Sequence, residues 1–131
     1  MTTHRTLIAT ALAAFALGIS AGAVIQAQQA RTPRAYVIAE VNVKDANGFK
    51  PYADGVPGII KAHGGEYIVR GGKTFPLEGA PPASRVAVIA FDSVEKARAW
   101  YDSPEYVSLR AIRHATADSR SFIAEGVSPA P

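Results

Sequence analysis

The chain contains 131 residues, of which 48% are hydrophobic and 19% are charged, and its formal net charge at neutral pH is +3. This length is typical of one domain, and the hydrophobic share excludes a wholly disordered chain. The sequence has no cysteine, which excludes disulfide bonds, thiolate metal sites, cysteine-ligated iron–sulfur clusters and a cysteine nucleophile. The small, scattered positive charge does not indicate a nucleic-acid partner.

Residues 1–27 have the pattern of a secretory signal peptide. A short, positively charged start precedes the apolar run Leu7–Leu17, and small residues up to Ala27 then offer cleavage points. This pattern predicts a periplasmic or secreted protein. The alternative is an uncleaved membrane anchor, because Leu7–Ile25 is an uncharged run of nineteen residues, close to the length that spans a bilayer.

The folded domain is predicted at residues 35–127, between a polar leader at 28–34 and a tail at 128–131. A domain of this size buries only about 60–65% of the surface of its unfolded chain. We therefore expect it to associate with a partner subunit.

The first half of this domain is predicted to form a strand, a helix and a second strand. Ala35–Val43 alternates strictly between its two faces and is rich in β-branched residues, as strands are. Apolar residues from Phe49 onward recur at helical spacing, and Pro57 is expected to kink or divide that helix. The pair Gly64-Gly65 ends the helix, and Glu66–Arg70 is the second predicted strand.

A long loop and a third strand follow. The loop, from Gly71 to Pro82, is rich in glycine and proline, and the strand Arg85–Phe91 is apolar enough to indicate a central place in a sheet. Asp92 and Glu95 form a predicted capping box that opens the next helix.

The remaining elements complete an α+β fold. Ser103-Pro104 is a second helix start, the helix is predicted to run as far as Ala117, and Arg120–Glu125 is the last strand. The order predicts a ferredoxin-like βαββαβ fold with an antiparallel four-stranded sheet, helices on one face and an extra helix before the last strand.

The sheet face without helices is predicted to be apolar. Tyr36 and Ile38 lie on it, and Val69 or Ile89 are further candidates. An exposed apolar face of this size indicates a partner surface, so we expect a homodimer in which two sheets pack face to face. A pocket between the sheet and the helices is then the expected ligand site.

Five segments resemble the family called domain of unknown function 1330, DUF1330: YVIAEVNVKD at 36–45, AHGGEYIVRGG at 62–72, LEG at 77–79, RVAVIAFDSVEKARAWYDSPEY at 85–106 and RHATADSRSFIAEGV at 113–127. The resemblance implies a dimeric α/β barrel of ferredoxin-like subunits, related to small monooxygenases, chlorite dismutase-like proteins and muconolactone isomerase-like proteins. It implies no particular reaction. Members are often short cytoplasmic chains, so the signal segment is a departure from the family pattern.

Two histidines of the domain are candidates for acid–base chemistry. His63 lies in the last turn of its helix, where it serves either as a general base at the pocket or as a cap for the last carbonyl groups. His114 and Asp118 are four residues apart, so a continuous helix would place them on one face, where the carboxylate orients the imidazole ring. A surface pair without a function is the alternative.

Charged residues of the sheet and last helix are candidates for ligand binding. Arg70, Arg113 and Arg120 are candidates because a guanidinium group binds a carboxylate through two parallel hydrogen bonds. Glu40 interrupts an otherwise apolar strand and needs a cationic partner, for which Arg70 and Arg120 are available. This pairing is either part of a ligand site or a structural ion pair.

Aromatic residues on the helices either fill the core or line the pocket. Tyr52 and Trp100 are the expected lining residues, with Tyr101 and Tyr106 at helical spacing beside them. No metal site is predicted, since the histidines lack a paired ligand spacing. No nucleotide cofactor is predicted either, because Gly72-Lys73-Thr74 lacks the first glycine and the following helix of a phosphate-binding loop.

Two classes of function remain open at this stage. The first is an exported homodimer that binds a small anionic or aromatic organic molecule, with cofactor-independent proton transfer or oxygenation in which His63 or His114 is the base. The second is a non-enzymatic dimeric binding or accessory module whose polar residues are structural. Haem binding is a distant third.

Overall fold

A computed structural model of the chain describes residues 32–128. The predicted signal peptide, most of the predicted leader and the last three tail residues lie outside these described residues. Within them the elements follow in the order β1 (Ala35–Val43), α1 (Ala46–Ala62), β2 (Glu66–Arg70), β3 (Arg85–Phe91), α2 (Val94–Tyr101), α3 (Pro104–Thr116) and β4 (Ala117–Glu125). No helix in this part of the chain has both the length and the apolar character needed to cross a membrane.

The four strands form one antiparallel sheet in the order β2-β3-β1-β4. The ferredoxin-like α+β prediction is therefore confirmed, and so are the bounds of the first three strands and the central place of β3. Alternation along β1 buries Val37 and Val41 under the helices, while Ile38 lies on the other face. Each strand thus has one face in the core and one face without helices.

Helix α1 is not divided at Pro57, contrary to one form of the prediction, because it continues as one helix of 17 residues. Proline has no N–H, so the carbonyl group of Ala53, four residues earlier, loses its helical donor. In the structure a side chain supplies that donor: Arg70 Nη2 lies 3.2 Å from the Ala53 oxygen. This contact also ties the end of β2 to the helix.

Two boundaries differ from the sequence prediction. The cap of α2 is Ser93, whose hydroxyl accepts a hydrogen bond from the Lys96 N–H at 3.2 Å, whereas the predicted cap, Asp92, forms an ion pair with the Lys96 amine. Helix α3 ends at Thr116. Strand β4 begins at Ala117, because its pairing with β1 continues as far as Val43, the last residue of β1.

The sheet face without helices carries an apolar row that crosses all four strands. Phe122, Ile38, Val88 and Val69 are neighbours in the strand register, and Tyr36 lies on the same face beside them. Ile89, one of the predicted residues, is not on this face, because it pairs with Val37 and is buried under the helices. We refer to this surface as the open face.

The largest buried side chains come from both layers of the domain: Trp100, Tyr106, Phe91, Ile60 and Val56. The residues directly after helix α1 pack closely against this core. Gly64 takes a φ of 73° there, and a Cβ atom on the next residue, Gly65, would lie 2.5–2.9 Å from atoms of Phe91 and Ile60.

Two glycine substitutions test this packing. Gly65→Ala should lower the free energy of unfolding by about 1–3 kcal/mol, because the added methyl group overpacks the core. Gly58→Ala should raise it by about 0.5–1 kcal/mol, since Gly58 is inside α1 and a Cβ there meets no atom within 4 Å. Urea unfolding of the two variants beside the parent chain measures both effects. Equal stabilities would contradict the packing.

Candidate functional site

A cavity of about 50 Å³ lies between the sheet and the helices. Its floor is a row of small side chains, in which Ala39 pairs with Ala87 on one side and with Ser121 on the other. The next row, Val37 with Ile89 and Ile123, has larger side chains that belong to the core. The cavity therefore exists because the three residues at this level of the sheet are small.

Arg113 of α3 is the charged residue inside the cavity. It is only 3% exposed, and its Nη1 atom lies 3.0 Å from the Tyr106 hydroxyl and 3.5 Å from the Tyr52 hydroxyl. No Asp or Glu is among the cavity-lining residues of the described chain. A buried charge is usually paired with an opposite charge, so Arg113 departs from the normal pattern.

Three buried polar atoms of the lining have no hydrogen-bond partner within the described chain. They are the Nε atom of Arg113, the Nε1 atom of Trp100 and the hydroxyl oxygen of Ser121. An unpartnered buried donor costs about 1–3 kcal/mol, and each of these residues carries an N–H or O–H that can donate. The cavity is therefore rich in donors and short of acceptors.

The electrostatics favour a cationic cavity with neutral tyrosines. Burial and the neighbouring Tyr52 raise the pKa of Tyr106 well above its usual range, and burial raises the pKa of Tyr67 to about 12. Burial alone would lower the pKa of Arg113, but its contacts with Tyr106 and Tyr52 outweigh that effect and raise it. Near neutral pH Tyr67 and Tyr106 are therefore protonated and Arg113 is charged.

Two more arginines line the cavity where it meets solvent, and we call them the mouth arginines. Arg70 lies over the Tyr67 ring at 5.1 Å from its centroid, and Arg85 lies over the Phe49 ring at 5.6 Å. Both are exposed, and neither forms an ion pair with a carboxylate among residues 32–128.

A bulge in β2 brings Tyr67 and Arg70 to the same face. These residues are three apart, and a regular strand would place them on opposite faces. The register shifts between Tyr67 and Val69, so that Ile68 is the extra residue and both Tyr67 and Arg70 pair with helix-facing positions of β3.

The structure brings together four of the predicted ligand-binding residues in this cavity: Tyr52, Trp100, Arg70 and Arg113. Trp100 and Tyr106 are also core residues, and their ring centroids lie 4.1 Å apart. Arg85, Tyr67 and Ser121 were not predicted as site residues. The signal for Arg85 was available, since alternation along β3 places it on the same face as Ala87.

Glu40 and Arg120 do not reach the cavity, so Arg120 does not hold a ligand there. They are register partners on the open face, where Arg120 Nε lies 2.8 Å from a Glu40 carboxylate oxygen. Arg70 is not a partner of Glu40, because β2 is not a neighbour of β1. Their contact is an ion pair on the open face, and a part in binding a ligand stays a prediction.

The predicted catalytic histidines also lie outside the cavity lining. His63 caps α1, with its Nδ1 atom 2.9 Å from the Ile59 carbonyl oxygen. His114 is exposed and contacts Arg113 Nη2 at 3.3 Å. The expected helical pair of His114 and Asp118 does not form, because α3 ends before Asp118, which lies on β4 and pairs with Lys44 at 2.8 Å.

No group of three or more His, Cys, Asp or Glu side chains within residues 32–128 is arranged to hold a metal ion. The fold and the site together define a ferredoxin-like α+β domain with a buried arginine in a cavity between its sheet and its helices. Residues 34–127 match the family model described as Domain of unknown function (DUF1330), and the chain belongs to this family.

The chain is also similar to solved structures at low sequence identity. A protein of unknown function from Rhodopseudomonas palustris has a TM-score of 0.62 and 18% identity, covering 81% of this chain and 94% of that chain. A dimeric protein of unknown function and ferredoxin-like fold from Bacteroides fragilis has a TM-score of 0.43 and 18% identity, with coverages of 70% and 95%. Among curated proteins, none matches the chain.

The raised tyrosine pKa values predict a late alkaline titration. In the folded protein, Tyr67 should ionise only near pH 12 and Tyr106 later still, whereas both should ionise near pH 10 in the unfolded chain. Because the folded pKa values are raised, their contribution to stability is complete below about pH 10 and is lost as the pH rises through the folded values. Phenolate absorbance, measured with and without urea, reports both states.

The variant Tyr67→Phe provides the control for this titration. It should remove part of the late absorbance change and part of the alkaline loss of stability. Ionisation of every tyrosine of the folded chain near pH 10 would contradict the burial of these hydroxyls.

Proposed function

We propose that the protein binds a small organic anion, a carboxylate, in the cavity beneath Arg113. The observation that carries this proposal is the buried guanidinium group of Arg113, which has no carboxylate partner within residues 32–128 and whose Nε atom is unpaired there. A carboxylate accepts hydrogen bonds at both oxygens and suits a planar guanidinium fork. The Trp100 N–H and the Ser121 hydroxyl provide further donors in the same cavity.

Binding is better supported than acid–base catalysis. Within the described part of the chain, the cavity lining contains tyrosine, arginine and serine but no His, Asp or Glu. Burial raises the pKa values of Tyr67 and Tyr106, and the pKa of Arg113 is also raised, so these residues act as donors near neutral pH and not as bases. His63 and His114, the bases that we expected from the sequence, have other contacts. The proposed activity is therefore recognition of an anion, without a proton-transfer step by these histidines.

Carboxylate-dependent thermal stabilisation tests this proposal. A ligand present at ten times its Kd stabilises the folded state by about 1.4 kcal/mol, which raises the Tm of a domain of this size by about 6–11 °C. Acetate and butyrate are the probes, with chloride at the same ionic strength as the reference. Arg113→Met should lose the carboxylate effect. Without ligand, its Tm should equal or exceed that of the parent, because the variant buries no unpaired charge.

A second variant separates the cavity from general charge effects. Ala39→Leu fills the cavity floor and leaves Arg113 in place, so it should also lose the carboxylate effect. Arg98→Gln removes an exposed arginine outside the cavity and should keep it. If carboxylates do not stabilise the parent chain, the alternative function is favoured, a dimeric module in which Trp100 and Tyr106 are only core residues.

The proposed assembly is a homodimer in which two open faces pack together. The support is the apolar row across the sheet, in which Phe122 is 46% exposed and Val69 is 38% exposed. Apolar rows of this kind are normally covered by a partner surface. The family resemblance also implies a dimeric α/β barrel.

Charge placed on the open face should prevent this dimer. Phe122→Lys is expected to give a monomer with unchanged helix content, because two lysines facing each other across an apolar interface cannot be solvated. Val107→Lys is the matched control, since Val107 is 42% exposed but lies on α3, and it should remain dimeric. Light scattering after size-exclusion chromatography measures the mass. A monomeric parent chain would overturn the proposed assembly.

Export belongs to the same proposal. Residues 1–27 are the support, because they combine a charged start, an apolar run and small residues at the end. The masses of the chain recovered from the periplasmic and membrane fractions of an expressing cell separate a cleaved form from an anchored one. A full-length product in the cytoplasm would contradict export.

A further inference from the structure

The mouth arginines have no role in holding the carboxylate beneath Arg113. Arg70 and Arg85 are exposed, lie against aromatic rings and have no carboxylate partner among the described residues. Both nevertheless line the same cavity as Arg113. Three guanidinium groups thus line one cavity, and none of the lining residues that the structure describes is acidic.

The positions of these arginines are fixed by specific contacts. Arg70 donates to the Ala53 carbonyl oxygen that Pro57 leaves without a helical donor. The Arg85 guanidinium packs close to Gly71, where a Cβ atom would lie 3.5–3.7 Å from it. The Gly71 N–H in turn donates to the Val86 carbonyl oxygen at 2.8 Å. Their places at the mouth therefore do not depend on a ligand.

The inner and outer charges lie at different depths of the cavity. Arg113 is only 3% exposed, whereas Arg70 and Arg85 are exposed where the cavity meets solvent. A molecule with one anionic group at its buried end and another at the mouth can therefore contact all three arginines.

The size of the cavity supports the same conclusion. A volume of about 50 Å³ holds about three to five water molecules, so only one end of an organic ligand fits beneath Arg113. The rest of the molecule extends past Ala39 and Ala87 towards the mouth. These two small apolar residues suit a short hydrocarbon spacer.

From this arrangement, and resting on the proposed function, we infer that the ligand is a short dicarboxylate. One carboxylate binds beneath Arg113, and the other binds at the mouth to Arg70 and Arg85. The mouth arginines therefore select dicarboxylates over monocarboxylates of the same chain length.

Succinate and butyrate, which have the same number of carbon atoms, form the test pair. Calorimetric titration of the purified chain at constant ionic strength should show succinate binding at least about tenfold more tightly than butyrate, because a hydrogen-bonded contact with a charged group is worth about that factor. The double variant Arg70→Gln, Arg85→Gln should lose this preference and still bind butyrate. Arg98→Gln, which removes a surface charge outside the cavity, should retain it.

The outcomes distinguish the two proposals. Equal affinities for succinate and butyrate in the parent chain would overturn the dicarboxylate assignment and leave carboxylate binding at Arg113 intact. A succinate preference that survives in the double variant would also overturn it. Tighter binding of inorganic phosphate than of succinate would do the same. Failure of both carboxylates to bind would overturn the proposed function as well.

Discussion

The burial of Arg113 is the constraint on which the arrangement of the domain depends. Removing a guanidinium group from water costs several kcal/mol, and no acidic side chain of the described cavity lining offsets that cost. The hydroxyl groups of Tyr52 and Tyr106 lie beside it instead, one from α1 and one from α3, 3.3 Å from each other. The two helices are therefore joined by a polar contact around a buried charge.

Most of the fold could be predicted because alternation and helical spacing are local properties of the sequence. The bounds of the first three strands follow from them, as does the start of α3 at Ser103 and Pro104. The errors lie where distant residues decide the outcome. Spacing predicts Ala117 in a helix, but pairing with β1 makes it the first residue of a strand, and a single sequence does not reveal that register.

The candidate site was predictable in its residue types and less so in its geometry. Side-chain chemistry is sufficient to predict four of the residues that line the cavity: Arg70, Arg113, Tyr52 and Trp100. The alternation of faces along β1 is sufficient to place Glu40 on the open face. The face of Arg70 was not predictable, since it depends on the bulge in β2. Nor did the sequence indicate which side chain would satisfy the carbonyl group that Pro57 leaves free in α1.

The same bulge affects how the sheet ends. An edge strand offers unpaired N–H and C=O groups to any other chain, and irregular edges are poor templates for such strand addition. β2 has only five residues and is interrupted at Ile68, whereas β4 has nine residues in an unbroken register. Aggregation of this protein by edge-to-edge pairing would therefore begin at β4, and Asp118, Arg120 and Glu125 are the charged side chains on that strand that oppose it.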